Sequence, residues 1–357
     1  MSAMRTKTGD ILLGLLRAAQ HLASLHVREA LLRALCVGAQ RALGAERCLL
    51  HVIRPGEQGV RLAGLGWCCA DDEGGAWEDI SDEAPLLPGD AFLLGVLSGG
   101  DVAHHARTGE GWRMAFPVMH GGRKRWVFEV CLRRPVSAAV IDGVHAYIRC
   151  FERLMAQWEY ANLDTLTGLL NRKTFDEQFD QLIASAEQVR RSDDDRRDGS
   201  NGPNPSWLGI VDIDHFKHIN DTWGHLFGDE VLIRLAERMR QAFRGSDKLF
   251  RFGGEEFVVM LRNIPEDTVS GIFERFGRDV EAHDFPQVGT VTCSLGYTRV
   301  DNSEAPAALL GRADTALYYA KEHGRNCTWN YEMLLAIGEV SAIVTPGNAQ
   351  EDADQYF

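Results

Sequence analysis

The sequence predicts an α+β protein whose two domains are joined by a helical stalk, and three observations carry that prediction. A chain of 357 residues is long enough for two domains, each with its own buried core. The stretch LFRFGGEEFVVM, residues 249–260, reads as strand, tight turn and strand, because glycines between apolar and β-branched runs take positive φ at no steric cost. From Val140 the apolar positions Val140, Val144, Tyr147, Phe151, Leu154, Trp158 and Ala161 step alternately by four and three, the spacing of a coiled-coil seam.

Composition narrows the class. With 45% hydrophobic and 25% charged residues the chain reads as soluble and globular. No run approaches the roughly 20 apolar residues that cross a bilayer, and the N-terminus lacks a secretory cleavage pattern. A cytoplasmic protein without membrane insertion is therefore expected. The net charge of -13 argues against a nucleic-acid partner, which needs a basic face to displace counterions. The eight cysteines form no C-x-x-C pair, which disfavours zinc and predicts reduced, mostly buried thiols.

In chain order, residues 10–42 predict two helices. Asp10 is the expected cap of the first, Ile11, Leu12, Leu15, Leu16, Ala19 and Leu22 its apolar stripe, and the second begins near Arg28. ERCLLHVIRP and GVRLAGLGW form a hairpin around GEQG, and WRMAFPVMH and RKRWVFEVCL form another around Gly121 and Gly122. Between them come a loop-rich stretch with Glu78, Asp79, Asp82 and Glu83, a short helix near residues 92–97, and His104 and His105, read as a solvated pair in a polar loop. Helices, a hairpin, a variable middle, a second hairpin and an exit helix together resemble a GAF sensor domain, here residues 1–136. That resemblance implies either a small-ligand pocket between sheet and variable middle or a platform for dimerisation or a partner protein. Residues 137–162 would then be a coiled-coil stalk holding two chains in parallel, or one amphipathic helix packed on its own domain.

Further on, a helix after DTLTGLLNR runs to about Val189 and gives way to RRSDDDRRDGSNGPNPS, a polar segment with the marks of a flexible loop. There follow a strand (207–214), helices (216–222 and 226–243), a hairpin (248–262), a helix (266–283), a strand (290–299) and a helix (305–323). Residues 331–357 are expected to be a flexible acidic tail. The strand WLGIVDID ends on Asp212 and Asp214. Acids ending a buried strand, facing Glu255 and Glu256 on a neighbouring hairpin, make a site for a hard, oxygen-seeking divalent cation. Side-chain alternation would send those two glutamates to opposite faces of the sheet.

Five ordered motifs now bear on function: DTLTGLLNR at 164–172, DIDHFKHINDTWGH at 212–225, GDE at 228–230, GGEEF at 253–257 and KEHGRN at 321–326. Together they resemble the GGDEF family, the diguanylate cyclases that join two GTP molecules into cyclic di-GMP. The resemblance implies a ferredoxin-like palm at residues 163–330, an antiparallel sheet with helices on one face. It also implies two Mg2+ ions per active site, with Mn2+ as the alternative, and a homodimer, because each domain supplies half of a site. Asp212, Glu255 and the Ile213 carbonyl match the family's metal ligands, and Glu256 matches a further ligand or the base. Asn220 and Asp229 match the guanine-reading positions, a carboxylate at Asp229 accepting from N1 and N2, which adenine cannot supply. Lys321 and Arg325, expected on one helix face, match triphosphate contacts; Lys217 adds charge, and His225 and Gly253 border the substrate. Arg244 and Asp247 form an RxxD motif at the spacing of the family's inhibitory site, with Arg275 as a secondary contact, so cyclic di-GMP is expected to be inhibitor as well as product. A non-catalytic receptor for GTP or cyclic di-GMP is the alternative.

Overall fold

The computed structural model describes residues 2–56, 59–69, 91–99, 104–107, 111–194, 204–301 and 303–341. The chain divides into two compact units, residues 1–161 and 162–357. Among the described residues no helix is long and apolar enough to cross a membrane.

In the first unit, helices α1 (Ser2–Ala23) and α2 (Arg28–Leu43) precede strands β1 (Arg47–Gly56) and β2 (Gly59–Cys69). Helix α3 (Ala91–Ser98), strands β3 (His104–Arg107), β4 (Trp112–His120) and β5 (Arg123–Leu132), and helix α4 (Ala138–Asn162) follow. The sheet runs β2-β1-β5-β4-β3 and every pairing is antiparallel. Alternation on β5 separates the two faces. Phe128 and Val130 join the core under α1, α2 and α4, whereas Val127 packs with Leu93 and Val96 of α3.

Three expectations for this unit change. Helix α1 starts at Ser2, so Asp10 lies inside it and caps nothing. His104 and His105 belong to an edge strand, paired with Ala115 and Met114. The heptad stripe is occupied within its own unit: Val140, Val144, Tyr147 and Phe151 are 0–2% exposed, and Leu154 and Trp158 pack on the same core. Steps of four and three also describe an amphipathic helix lying on a domain, and that alternative is the one observed. The acids at 78, 79, 82 and 83 lie outside the described residues.

The second unit runs β6 (Leu170–Asn171), a 3-10 turn (Arg172–Thr174), α5 (Phe175–Asp194), β7 (Trp207–Ile213), α6 (Phe216–Trp223), α7 (His225–Ala242), β8 (Lys248–Gly253), β9 (Glu256–Leu261), α8 (Glu266–Ala282), β10 (Asp284–Phe285), β11 (Gly289–Thr290), β12 (Cys293–Arg299), α9 (Pro306–Glu322), β13 (Thr328–Asn330) and α10 (Tyr331–Ala336). Its mixed sheet has the order β13-β12-β7-β9-β8-β6. The four inner strands are antiparallel, while β6 and β13 pair in parallel at the edges.

Helices cover both faces of this sheet, not one. Val211, Phe257 and Val259 pack with Leu235 of α7 and Phe273 of α8. Leu208, Ile210 and Val258 pack with Phe179 of α5 and Leu317 of α9. The cause is visible in β7, where every residue is buried, as a strand covered on both sides requires. The expected tail is also partly structured. Tyr331 and Leu334 of α10 bury against Ala316 of α9, while the remaining tail from residue 342 and the polar stretch 195–203 lie outside the described residues.

Candidate active site

The site gathers at one end of the inner strands. In the β8–β9 hairpin, Gly253 pairs with Glu256, so Gly254 (φ 50°) and Glu255 form the turn, one residue later than a Gly-Gly turn would sit. Glu255 is therefore a turn residue and strand alternation does not apply to it. Glu256 opens β9 directly opposite Asp212 of β7, and paired residues point to the same face of a sheet.

The turn is anchored from behind. Arg251 donates from Nε and Nη2 to the Gly254 carbonyl at 3.2 and 2.9 Å, and from Nη1 to both oxygens of Asp164 at 3.1 and 3.2 Å. Thr167 adds its backbone N–H and hydroxyl to Asp164 at 2.8 and 2.7 Å. Burial opposes ionisation of Asp164, yet the bonds from Thr167 and Arg251 hold its carboxyl below the ordinary range. The opening motif is thus tied to the GGEEF hairpin through one guanidinium. Neither Asp164 nor Arg251 was singled out from sequence, although each stands inside or beside a recognised motif.

Asp212 is 5% exposed and accepts from Lys321 Nζ at 2.9 Å. Burial pushes its carboxyl up to about 6, with Glu255 and Asp214 adding to the rise and Lys321 opposing it. Burial and the neighbouring Asp212 push Glu256 up to about 7, again against Lys321, with help from Asp314 and Glu255. Asp314 of α9, itself raised by burial, is a member of the cluster that sequence reasoning missed; it lies seven residues before Lys321 on the same helix, a spacing that shares one face. Asp214 has a different task. It accepts from Thr292 Oγ1 at 2.7 Å, Ser294 Oγ at 2.6 Å and the Asn326 backbone N–H at 3.0 Å, pinning the KEHGRN segment to the sheet.

Other positions fall as follows. Asn220 is half-buried, and a Cβ at Gly228 would overlap its Oδ1, so the glycine of GDE gives the amide its place. Lys217, His225 and Asp229 are exposed. Arg325 does not share a helix face with Lys321, because α9 ends at Glu322 and Arg325 follows in the left-handed region at φ 60°, exposed. In the RxxD motif Arg244 is exposed while Asp247 turns inward and accepts from the Arg244 backbone N–H at 2.9 Å. Its second oxygen is buried without a hydrogen-bond partner. Arg275 is exposed on α8.

The donor set suits a hard cation. Asp212, Glu255 and the Ile213 carbonyl offer oxygen alone, and a bound cation would offset the burial and neighbouring negative charge that raise Asp212 and Glu256. Among the described residues no three acidic, histidine or cysteine side chains already form a metal cage. Magnesium commonly takes one or two carboxylates and completes its shell with water and substrate phosphates.

Residues 161–327 match the family model described as "Diguanylate cyclase, GGDEF domain". The chain is 41% identical over 173 residues to diguanylate cyclase DgcP of Pseudomonas aeruginosa, covering 48% of this chain and 24% of that protein. It is 33% identical over 201 residues to diguanylate cyclase VdcA of Vibrio cholerae, covering 55% and 53%. It is also similar to the GGDEF domain of DgcB from Caulobacter crescentus in complex with c-di-GMP, at 31% identity and a TM-score of 0.42, covering 48% of this chain and 96% of that one. The chain thus spans between 24% and 53% of the length of these two curated relatives. Residues 161–327 of this chain form a GGDEF domain.

Proposed function

We propose that this chain is a diguanylate cyclase, condensing two GTP molecules into cyclic di-GMP with release of pyrophosphate. The observation that carries the reading is the cluster at the hairpin tip, where Lys321 pairs with Asp212 and faces Glu256, with Glu255 close enough to act on both acids. The 3'-hydroxyl of one nucleotide attacks the α-phosphorus of the other, and the obstacle is negative charge on nucleophile, phosphorus and leaving group together. Asp212, Glu255 and the Ile213 carbonyl would hold magnesium, two ions per site, or manganese. A divalent cation bound there stabilises the attacking and departing oxygens.

The residues of the chain supply the rest. Glu256, whose carboxyl sits near neutrality at about 7, is suited to take the hydroxyl proton. Lys321, Arg325 and Lys217 receive the triphosphate, His225 and Gly253 border it, and Asn220 with Asp229 reads guanine. Each domain presents one nucleotide, so two chains act as a homodimer. Because the stripe of α4 is buried in its own unit through Phe151, the chains would meet through other surfaces. The first unit, an antiparallel sheet with helices on both faces, is read as a GAF-like regulatory module acting in the cytoplasm. Arg244, Asp247 and Arg275 form the proposed product-inhibition site.

The test begins by stripping bound nucleotide with a cyclic di-GMP phosphodiesterase and removing that enzyme, because copurified inhibitor would mimic a dead protein. GTP and Mg2+ should then yield cyclic di-GMP and pyrophosphate by mass spectrometry, and ATP should yield no cyclic product. A chain that binds GTP yet makes no product at high concentration with either metal would be a receptor.

Inhibition has its own readout. In Arg244→Ala the progress curve should stay linear where the unaltered chain stalls. The concentration of cyclic di-GMP giving half inhibition should rise about tenfold or more, the worth of one lost charge-assisted contact. An unchanged inhibition curve would remove Arg244 from the site.

A pH dependence follows from the acids. Asp212 and Glu256 have ordinary values of 3.8 and 4.5 and rise in the folded chain to about 6 and about 7. Between those limits the folded state binds more protons than the unfolded one, so this contribution to stability falls as pH rises from about 4 to about 7. Mg2+ without nucleotide should therefore raise the unfolding midpoint more at about pH 8 than at about pH 5. Equal shifts at both pH values would place the metal elsewhere.

A further inference from the structure

The first unit carries a cleft of about 500 Å³ between α1 and α2, a size that suits a small organic ligand. Its lining follows one face of each helix: Gly14, Arg17, Ala18 and His21 on α1, then Ala34, Val37, Gly38 and Arg41 on α2, the three- and four-residue steps of a helical face. Small residues make the cleft, and its floor is fixed. Tyr147 packs under α2 with its hydroxyl donating to the Ala34 carbonyl at 2.9 Å, and a Cβ at Gly38 would overlap that hydroxyl and lie 2.8 Å from Ala18 Cβ.

Charge decides the occupant. Four basic side chains line the cleft, Arg17, His21, Arg33 and Arg41, and no acidic one, in a chain whose net charge is -13. Arg17 and Arg41 are exposed at the rim above an otherwise apolar floor. A second copy docked about a two-fold axis through the cleft would bring the same cations against these and be repelled. An apolar body with an anionic head satisfies floor and rim together, the head reaching a guanidinium that binds carboxylates in a fixed geometry.

We propose that the α1–α2 cleft is a binding site for a small amphiphilic carboxylate, of which a medium-chain fatty acid is the simplest member. Such a ligand would bury its chain along Ala18, Ala34 and Val37 and place its carboxylate between Arg17 and Arg41.

The test is isothermal titration of the full chain with decanoate, with decanol and decyltrimethylammonium as the neutral and cationic counterparts. Binding is read without turnover, so its result is separate from the fate of the cyclase reading. Decanoate should bind saturably at one site, and both counterparts should bind at least about tenfold more weakly. The double variant Arg17→Glu/Arg41→Glu, altered only at exposed positions, should keep its unfolding midpoint and lose at least about tenfold in decanoate affinity. Ala30→Phe, which narrows the cleft, should weaken binding with the charges intact. Absence of saturable binding, equal affinity for decanol, or affinity unmoved by the charge reversal would each overturn the assignment. A change of oligomeric state in Ala30→Phe with no decanoate binding to the unaltered chain would give the cleft to a second copy instead.

Discussion

Asp212→Asn should abolish cyclic di-GMP synthesis, lowering the rate by about a thousandfold or more, while raising the stability of the metal-free chain. The first effect follows from charge. The neutral amide keeps the shape of the side chain but no longer offers an anionic oxygen to a divalent cation, and if Asp212 is the ligand proposed above, its loss removes the charge stabilisation that phosphoryl transfer relies on. The second effect follows from burial. Asp212 is 5% exposed and its carboxyl is pushed up to about 6 by burial and by neighbouring acids, so the ionised form is held at a cost near neutral pH. Removing the charge relieves that cost, as at many sites where function is bought with stability.

Asp214→Asn is the control, two residues along. Asp214 accepts three hydrogen bonds, from Thr292, Ser294 and Asn326, and an amide accepts with one oxygen only. It should lose about 1–3 kcal/mol and with it the anchoring of the KEHGRN segment. Calorimetry beside a product assay separates the pair. Asp212→Asn destabilised as much as Asp214→Asn would make Asp212 an architectural residue.

The contrast between these aspartates marks where sequence reading stopped. WLGIVDID shows both acids at the end of a buried strand, but the hydrogen bonds that engage Asp214 come from residues 78 to 112 positions away. Asp314 was hidden for the same reason, since its place beside Glu256 depends on how α9 lies on the sheet. Local pattern placed β7, β12, the β8–β9 hairpin and helices α5 to α9, because β7 and β9 are dense apolar runs and the turn carries glycine. The short strands β6, β10, β11 and β13 and the helix α10 have too few residues to show a period.

Errors arose where one pattern serves two arrangements. Steps of four and three suit a coiled-coil seam and a helix buried in its own domain alike, and Val140 to Phe151 take the second course. Two glycines allow a turn to begin at either, and the ladder between Gly253 and Glu256 selects the later one. Lys321 and Arg325 would share a face only if the helix continued, whereas Gly324, at φ 108°, starts a left-handed run that stops it.

Gly296→Ala should be among the most damaging single-methyl changes in the second unit, costing about 3 kcal/mol or more and lowering its unfolding midpoint by about 6–12 °C. Gly296 sits in β12 between Ile210 and Trp329, with α9 laid directly across it. A Cβ there would overlap the Leu317 nitrogen and the Ala313 carbonyl oxygen and lie 2.7 Å from the Ala316 carbonyl carbon. These are backbone atoms of a helix whose facing residues Ala313, Ala316 and Ala320 are fully buried, so no side chain can turn aside and the helix must lift. Gly209→Ala offers the comparison: its Cβ would lie 2.7 and 2.8 Å from the Phe273 ring, which can tilt, so the cost should be smaller. Lifting α9 also draws Lys321 away from Asp212, now 2.9 Å distant, so residual folded Gly296→Ala should turn over GTP more slowly than its folded fraction accounts for. Calorimetry of both variants, with activity scaled to folded protein, tests the chain of causes. A Gly296→Ala midpoint within about a degree of the unaltered chain, against the several degrees that a contact of this kind implies, would mean that α9 does not rest on the sheet as described.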